Sequence, residues 1–310
     1  MTAPLAARAA AALDRPIQPA VADCARRLGE ETGALAVLFY GSNLRTGSLE
    51  GVLDFYVLLP GERERGLWPR VSYREWDNAG TPLRSKIATM TLATFEAAAA
   101  GETLDTTIWA RFVQPSALPW SAGKEAEERV LAALEAAAMT AARLAVAQGP
   151  AHGHEAEYWR ALFRATYRAE LRVEPPGREE SILEANRSHF DGLLPAALSS
   201  AGLPFRVDGA TIEPRLDPAE RRRILAWWSR RRSFDICQPC EFDRYLSEAV
   251  RGTGVVARPC GGGVAPWMSS ACVYGRERPL NSPARLAKAS TGLAVWKRPA
   301  PLVVNRIRGA

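Results

Sequence analysis

The sequence contains few histidines and methionines, and it has no long run of apolar residues. Of its 310 residues, 3 are histidine and 4 are methionine. No apolar stretch approaches the roughly 20 residues that a membrane-spanning helix needs, so we expect no such helix. The stretch from Ala6 to Leu13 is short and is followed at once by Arg15 and Pro16, which argues against a secretory signal. We expect this stretch to form the first helix of the folded protein.

The sequence is also poor in cysteine, in a pattern that argues against a disulfide framework. The 5 cysteines are an odd number, and without a secretory signal they indicate free thiols in a reducing compartment. Cys237 and Cys240 have the spacing of a zinc knuckle. Cys260 and Cys272, which would complete a four-sulfur site, are separated by 11 residues rather than by a few. Structural zinc is therefore the less favoured interpretation of these four cysteines.

Acidic residues are absent from the C-terminal end of a basic chain. From Arg278 to Ala310 there are 7 lysines and arginines and no aspartate or glutamate, while the net charge of the whole chain is +6. Such a bias indicates a polyanionic partner, which is a nucleic acid, a nucleotide or an anionic membrane surface. A tail that only increases solubility is the alternative.

One short segment has the spacing of a phosphate and metal site. A predicted strand, 34–40, leads into Gly41 and Ser42, and Asp54 follows 12 residues after the serine in a second predicted strand, 52–59. Backbone N–H groups and a hydroxyl in such a turn bind phosphates. A carboxylate on the next strand holds Mg²⁺ against the same phosphates. The pattern is typical of nucleotidyltransferases of the polymerase-beta type.

The same segment leaves another interpretation open. The second acid that such enzymes usually carry two residues after the first is replaced by Tyr56. A hairpin loop followed by a strand with a salt-bridged Asp54 accounts for these residues without a ligand. A carboxylate inside an apolar run still needs a partner, because an unpaired buried charge is costly. Glu50 and Asp77 are the candidates for a second metal carboxylate.

The predicted elements divide the chain into three parts. Residues 1–120 are predicted to form an α/β domain, residues 121–250 a mostly helical, winged-helix-like domain, and residues 251–310 a basic, partly disordered region. The predicted strands are 34–40, 52–59 and 86–92, together with a hairpin at 205–212 whose turn is Asp-Gly. The predicted helices are 20–28, one beginning at Phe95, 124–148, 155–171, 179–199 with a break near Pro195, and 217–232. Residues 61–77 are predicted to be a loop with one helix.

Segments in both predicted domains match one family in their order and spacing. They are Tyr40-Gly41-Ser42, Leu53-Asp54-Phe55, Lys86, Trp109 to Phe112 before Gln114-Pro115, Tyr158, 166–172, 180–183, Asn186 and His189-Phe190. Over about residues 34 to 200, the chain resembles the mitochondrial-type phosphatidate cytidylyltransferases and their bacterial relatives. This family is also called the CDP-diacylglycerol synthases or the translocator assembly and maintenance proteins. The chain departs from it at Asn43, Ile87-Ala88 and Glu170, and by lacking a lysine before Pro115.

The resemblance implies a nucleotidyltransferase domain of the polymerase-beta type followed by a winged-helix-type domain. It implies that CMP is transferred from CTP to phosphatidic acid, giving CDP-diacylglycerol and pyrophosphate, with Mg²⁺. The implied catalytic residues are Asp54, which also holds the metal, and Lys86 and Arg111, which neutralise the charge that develops on the phosphates. The residues expected to bind the phosphates of CTP are Gly41, Ser42 and Asn43. The acceptor phosphate is already ionised near neutral pH, so no histidine base is required.

A basic segment with two tryptophans, 221–232, is predicted to bring the protein to its lipid. It contains Trp227 and Trp228 among 6 arginines. On a membrane surface, tryptophan rings lie at headgroup depth and arginine stems reach past them to water. We therefore expect peripheral association with an anionic membrane that contains phosphatidic acid, on the cytoplasmic side of the inner membrane. The alternative is a helix that packs its tryptophans on the core and leaves its arginines in water.

Two other functions fit the same residues. One is nucleotidyl transfer to a non-lipid acceptor, in which case the basic helix would be a nucleic-acid surface. The other is an inactive nucleotidyltransferase-like domain that regulates a partner or binds nucleic acid through its winged helix and basic tail. A nucleic-acid partner is the less favoured interpretation.

Overall fold

A mixed five-stranded sheet forms the centre of the N-terminal part of the chain. The computed structural model describes residues 3–78, 80–169 and 177–231. The strands of this sheet are β1 (Ala36–Tyr40), β2 (Val52–Leu59), β3 (Arg70–Asn78), β4 (Thr81–Thr91) and β5 (Ser116–Ser121). Their order is β3-β4-β2-β1-β5, with β2 parallel to β4 and the other neighbours antiparallel. The predicted α/β class is confirmed.

Helices surround this sheet, and a second, small sheet lies later in the chain. The helices are α1 (Leu5–Leu13), α2 (Pro19–Thr32), α3 (Ser42–Thr46), α4 (Leu92–Ala99), α5 (Thr107–Phe112), α6 (Lys124–Gln148), α7 (Glu155–Ala169), α8 (Arg178–Ala185), α9 (Arg187–Phe190) and α10 (Leu193–Ser200). Residues 218–231 are helical as well and are called α11. The small sheet consists of β6 (Gly153–His154), β7 (Phe205–Asp208) and β8 (Thr211–Pro214), in the order β6-β8-β7.

Different helices cover the two faces of the large sheet, because alternate residues of a strand point to opposite faces. On the face called here the α6 face, Leu38 and Tyr56 pack with α4, α5 and α6. On the opposite face, called the α2 face, Phe39 and Phe55 pack with α2. Both faces of β1 and of most of β2 are therefore buried, which explains why these strands are nearly continuous apolar runs.

The longest described helix, α6, is the centre of the helical part of the chain. It contacts α1, α4, α5, α7 and α10, and its many alanines allow these neighbours to approach closely. By length and composition alone this helix is apolar enough to cross a membrane, contrary to the prediction, because alanine extends its apolar stretch. In the folded protein, however, 67% of the apolar 18-residue stretch of this helix is buried.

The helix predicted for 179–199 is three short helices instead. The chain breaks between α9 and α10 at Gly192, whose φ is +74°. The carboxylate of Glu155 accepts hydrogen bonds from the N–H groups of Gly192 and Leu194, at 3.1 and 3.4 Å, and so caps α10. Pro195, where the break was predicted, lies in the first turn of α10, where an N–H group has no helical partner to lose.

Two strands of the large sheet were not predicted. Residues 61–77 were expected to be a loop with a helix, but the second part of that range, from Arg70 onward, is β3. Only Trp76 of β3 is buried, so the strand lacks the alternation of apolar and polar residues that identifies strands. The edge strand β5 contains Pro119, which is tolerated only at such an edge and which obscures the strand signal. Strand β4 also begins five residues before the predicted start at Lys86.

The helix predicted for 20–28 extends past that range, because α2 continues through Gly29. The helix ends at Thr32, where Gly33 adopts a left-handed φ of +62°. Gly29 is needed for packing instead, since a Cβ at this position would lie 2.4 Å from ring atoms of Trp120 on β5. A glycine inside a helix thus marks the contact between α2 and the sheet.

The predicted hairpin at 205–212 is confirmed. Strands β7 and β8 pair from Phe205 and Pro214 to Asp208 and Thr211, so the two-residue turn is Gly209-Ala210, one position later than predicted. The short β6 pairs with β8 and adds a third strand. The winged-helix assignment and the division at residue 120 stay predictions.

The C-terminal part of the chain lies outside the described residues. Residues 1–253 form one unit and 254–310 form another, and the structure describes the chain only as far as residue 231. The predicted disorder after residue 251 and the cysteines Cys237, Cys240, Cys260 and Cys272 therefore lie outside the described residues. Cys24, the one cysteine within them, is buried and has a free thiol.

Candidate functional site

The turn after β1 brings the backbone directly against a carboxylate. Gly41 has φ +91° and ψ −161°, a conformation that side chains rarely permit. A Cβ at position 41 would lie 3.0 Å from Oδ2 of Asp54. Glycine is therefore required here both by the backbone conformation and by the approach of Asp54. Ser42 follows as the first residue of α3, and its side chain is exposed.

Asp54 lies on the α6 face of β2, between two strands that carry polar side chains. Its direct partners in the sheet are Tyr40 on β1 and Lys86 on β4. Partial burial raises the pKa of the Asp54 carboxyl above its ordinary value, and the charges of Lys86 and Arg111 act in the opposite direction. A carboxylate held in this environment is stabilised by a cation.

Arg111 on α5 is fixed on the Tyr40 side of this carboxylate. Its Nη1 donates a hydrogen bond to the Tyr40 hydroxyl at 2.9 Å, and its guanidinium lies 5.0 Å from the centre of the Tyr40 ring. The start of α5 is held by Asp105, whose Oδ1 accepts from the Thr107 N–H at 2.8 Å. Burial raises the pKa of Asp105, while its hydrogen bonds and Arg111 lower it. The loop before α5 thus positions the arginine.

A cavity of about 260 Å³ opens beside Gly41, Asp54 and Arg111. It lies between the sheet and helices from the later part of the chain, since α7 and α8 contribute to its wall. Its polar lining residues are Arg15, Tyr40, Ser42, Arg45, Asp54, Thr107, Arg111, Gln114, Thr166, Tyr167 and Asn186. Three arginines and one aspartate give this lining an excess of positive charge. The cavity therefore suits an anionic ligand.

The structure separates the predicted site residues into two groups. Gly41, Ser42, Asp54 and Arg111 meet at the cavity. Lys86 does not line the cavity but lies beside Asp54 on the next strand.

Asn43, which was expected to bind phosphate, is directed elsewhere. Its Nδ2 donates to the carbonyls of Ser48 and Glu50 at 2.9 and 2.7 Å and so closes the loop after α3. The residue lines a second hollow, of about 250 Å³ and next to α2, rather than the cavity beside Asp54. Its amide therefore supports the turn, and its position does not place it among the phosphate ligands.

Neither candidate for a second metal carboxylate lies at the cavity. The Glu50 side chain is exposed beyond α3, and Oδ1 of Asp77 accepts from the N–H of Gly80 in the turn between β3 and β4. Among the lining residues, Asp54 is the one carboxylate. Across 3–78, 80–169 and 177–231, no group of three or more His, Cys, Asp or Glu side chains could hold a metal.

A single carboxylate is compatible with Mg²⁺ in one situation. Mg²⁺ is commonly bound by one or two carboxylates together with water and substrate phosphates, rather than by a cage of protein ligands. Asp54 is partly buried, its pKa is raised, and it lies at the edge of a basic cavity. These residues fit a metal that arrives with a polyphosphate and do not fit a resident metal centre.

Sequence reasoning missed two arginines of the site. Arg45 lies three residues after Ser42 on α3, so helical spacing offered a signal for it. Arg15 lies between α1 and α2, in a segment without regular structure, and reaches the cavity only through the tertiary fold. Thr166 and Asn186 were noted only as matching positions, and they also line the cavity.

The basic segment on α11 is arranged differently from the membrane-facing prediction. Trp228 is 3% exposed, and the rings of Trp227 and Trp228 lie 5.9 and 6.1 Å from the buried Trp109. Arg231 stacks on Trp227 at 3.6 Å. The prediction that both indoles lie at headgroup depth is wrong, because the fold uses them to close the core over α5. The side chains of Arg222, Arg223 and Arg230 remain exposed.

A comparison with models of known protein families and with curated proteins finds no match to this chain. The proposal for its function therefore depends on the geometry of the site and on the sequence resemblance.

Proposed function

We propose that this protein is a nucleotidyltransferase that transfers CMP from CTP to phosphatidic acid, giving CDP-diacylglycerol and pyrophosphate. The observation that supports this most directly is the close approach of the Asp54 carboxylate to Gly41, where both residues line a basic cavity. A phosphate-binding turn and a metal-binding carboxylate must be adjacent for nucleotidyl transfer. The chain order of strand, Gly-Ser turn and antiparallel strand with an aspartate supports the proposed polymerase-beta type.

The basic cavity supports the binding of a nucleoside triphosphate. Arg15, Arg45 and Arg111 supply three cationic groups around one space, and guanidinium groups pair well with phosphate oxygens. Ser42 adds a hydroxyl at the turn. Further from the turn, Thr166 and Asn186 supply polar groups for a part of the nucleotide that is not phosphate. These residues come from both the sheet and the later helices, so binding would involve both.

In nucleotidyl transfer, these residues mainly position the phosphates and stabilise the charge that develops on them. Bound Mg²⁺ would neutralise charge between the nucleotide and the attacking oxygen, and Asp54 would hold it. An oxygen of the acceptor phosphate forms a bond to the α-phosphorus, and the bond from this phosphorus to the bridging oxygen breaks, so that pyrophosphate leaves with the electron pair. Arg111 and Arg45 stabilise the charge on the leaving pyrophosphate. The ionised acceptor phosphate needs no proton removed.

The later helices and the three-stranded β6-β8-β7 sheet are proposed to form the winged-helix-like part. The hairpin β7–β8 would be the wing, next to α10 and α11. Peripheral association with the cytoplasmic side of the inner membrane is proposed on the exposed arginines of α11, and each such residue near an anionic surface contributes about 1 kcal/mol.

One observation favours a second candidate, an inactive nucleotide-binding module. Within the described residues, Asp54 is the one carboxylate at the cavity, whereas most enzymes of this type use at least two. A module of this kind would bind a nucleotide through its arginines without turning it over.

A turnover assay with a nucleotide panel tests the proposal. The full-length protein is mixed with Mg²⁺, phosphatidic acid in micelles and one labelled nucleotide at a time, CTP, ATP, GTP or UTP. The expected result is labelled CDP-diacylglycerol with CTP alone. Binding of CTP without any lipid product would leave the inactive module as the better account. A soluble phosphate compound is also tested in place of phosphatidic acid. Product from this compound but not from the lipid would show that the acceptor is not a lipid.

A further inference from the structure

The carboxylate of Asp54 has positively charged residues on both sides, and only one side belongs to the cavity. The pairing of the strands places Tyr40, Asp54, Lys86 and Tyr73 in one row across β1, β2, β4 and β3. Side chains that are direct partners lie on the same face of a sheet. Neighbouring strands are about 4.8 Å apart, so Lys86 is one step and Tyr73 two steps beyond Asp54.

Arg111 and Lys86 therefore lie on opposite sides of the carboxylate. Arg111 is held at the Tyr40 end of the row by its hydrogen bond to the Tyr40 hydroxyl. Lys86 is on the β3 side and does not line the cavity. Nucleotidyl transfer needs one phosphate group on each side of the metal-binding carboxylate. One of them belongs to the nucleotide and the other to the acceptor. Two separate cations match this requirement.

Within the part of the chain that the structure describes, the sheet beyond Lys86 is open on this face. On the α6 face of β3, Tyr73 is 72% exposed and Val71 is 50% exposed, and Leu67, just before the strand, is 68% exposed. The opposite face of β3 is covered around Trp76, which is buried and on which Arg74 stacks at 3.8 Å. On the α6 face, Arg84 of β4 lies 3.7 Å from the carboxylate of Glu75 on β3, whereas Lys86 is the cation directly beside Asp54 and Tyr73. Exposed apolar patches rimmed by polar residues mark binding sites.

We propose that Lys86 and Tyr73 form the subsite for the acceptor, and that the acceptor is a phosphomonoester joined to an apolar group. Lys86 binds the acceptor phosphate beside Asp54, and Tyr73 with Val71 contacts the apolar part. This inference rests on the proposed function and assigns Lys86 to the acceptor rather than to CTP. It also gives a role to a strand, β3, in which the sequence showed no pattern.

The charge and exposure in this subsite match that acceptor better than a second nucleotide. One lysine supplies a compact charge for one phosphate, whereas the triphosphate side has three arginines. The apolar side chains are at the open edge of the sheet, where a long chain attached to the phosphate can extend away from the protein. The direction of the row also places the acceptor phosphate next to the carboxylate, as transfer requires.

Two pairs of variants of the full-length protein test this subsite. Lys86→Ala is compared with Arg206→Ala, which removes the same charge from the exposed face of β7. Tyr73→Ser is compared with Val207→Ser, which removes a 54% exposed apolar side chain from β7, the strand that also carries Arg206. The probes are CTP, dioctanoyl phosphatidic acid below its micelle concentration, and glycerol 3-phosphate, which has the phosphate without the apolar chains. Binding of each probe and turnover are measured separately.

The expected results distinguish the two substrates. Lys86→Ala weakens binding of both phosphomonoesters at least tenfold and leaves CTP affinity within about twofold. Tyr73→Ser weakens binding of dioctanoyl phosphatidic acid about fivefold or more and leaves glycerol 3-phosphate unchanged. Both control variants match the wild-type protein. When turnover is measured, KM for the acceptor rises in parallel with these losses.

The outcomes that overturn the subsite differ from those that overturn the proposed function. A tenfold loss of CTP affinity in Lys86→Ala would assign the lysine to the nucleotide. A wild-type protein that binds neither phosphomonoester, or a Tyr73→Ser variant that binds both normally, would also overturn the subsite. If the wild-type protein binds the phosphomonoesters through Lys86 and Tyr73 but makes no product, the subsite stands and the proposed reaction fails.

Discussion

Gly41 and Asp54 approach so closely that a single added carbon atom at position 41 would touch the carboxylate, at 3.0 Å from Oδ2. This close approach joins the end of β1 to the third residue of β2. It defines the point where a phosphate bound by the turn would meet a metal ion held by the carboxylate. The account of the protein as a nucleotidyltransferase depends on this one relationship.

Replacing Gly41 by alanine is expected to weaken CTP binding at least tenfold. The variant introduces a Cβ against Asp54 and forces a side chain into a conformation that costs on the order of 1–3 kcal/mol. Gly47→Ala is the matched control, because Gly47 also has a positive φ, +68°, but its Cβ would meet no atom within 4 Å. Thermal unfolding and CTP titration are measured for both. Equal CTP affinity in the two variants would contradict a role for the turn at the site.

Replacing Gly29 by alanine is expected to destabilise the protein by about 1–3 kcal/mol, although alanine favours helices more than glycine. The reason is the 2.4 Å approach of the new Cβ to the Trp120 ring. Trp120→Leu in the same chain is expected to recover part of the loss. Denaturant unfolding of the four members of this double-mutant cycle measures the coupling. Additive effects of the two changes would show that the ring is not the cause.

His189 is expected to make the stability depend on pH. Its Nε2 lies 2.9 Å from the Val113 carbonyl, and burial lowers the pKa of the ring to about 4. The unfolded ring, with a pKa near 6.5, binds a proton that the folded ring does not, so stability from this group is complete above about pH 6.5. It is lost as pH falls toward 4, by an amount on the order of 2–3 kcal/mol.

The matched variant for this prediction is His189→Gln, whose amide can still donate to Val113 but does not titrate. Burial raises the pKa of the Glu155 carboxyl as well, so the quantity to compare is the difference between wild type and variant in denaturant unfolding from pH 4 to 7. The wild type should lose more stability than the variant over this range. Parallel curves would mean that His189 does not remain neutral in the folded protein.

The two sides of α11 are expected to respond differently to substitution. Trp228→Ala should destabilise the protein by about 3–5 kcal/mol, because the ring is buried against Trp109. Arg222→Ser combined with Arg223→Ser should leave stability within about 0.5 kcal/mol and lower affinity for anionic vesicles about fivefold per residue. Vesicle flotation and thermal unfolding measure both effects. Unchanged flotation of the arginine variant would mean that these two arginines do not bind the membrane and that any membrane contact uses another surface.

The elements with strong local patterns could be predicted from the sequence. The strand 52–59 matches β2, 124–148 matches α6, and the hairpin at 205–212 is present, with its turn one position later than predicted. Gly41 and Asp54 could be placed together because the spacing between a turn and the next antiparallel strand is nearly fixed. These predictions use interactions between residues that are close in the sequence.

The remaining features depend on contacts between distant parts of the chain. Strand β3 has one buried residue, so nothing in its composition shows that it pairs with β4. Arg15 reaches the cavity only because α1 and α2 flank the sheet as they do. The pattern of tryptophans and arginines on α11 fits a membrane surface and a core equally well, and the position of Trp109 decides between them. Sequence periodicity contains none of this information.

The most direct test of the central claim compares the wild-type protein with Asp54→Asn, a change of charge without a change of size. Labelled CDP-diacylglycerol is measured from CTP, Mg²⁺ and phosphatidic acid, with thermal unfolding as the check on folding. The account predicts product from the wild type and a loss in kcat/KM of about 100-fold or more in the folded variant. Equal turnover by the two proteins, or no product from a wild type that binds CTP, would contradict it.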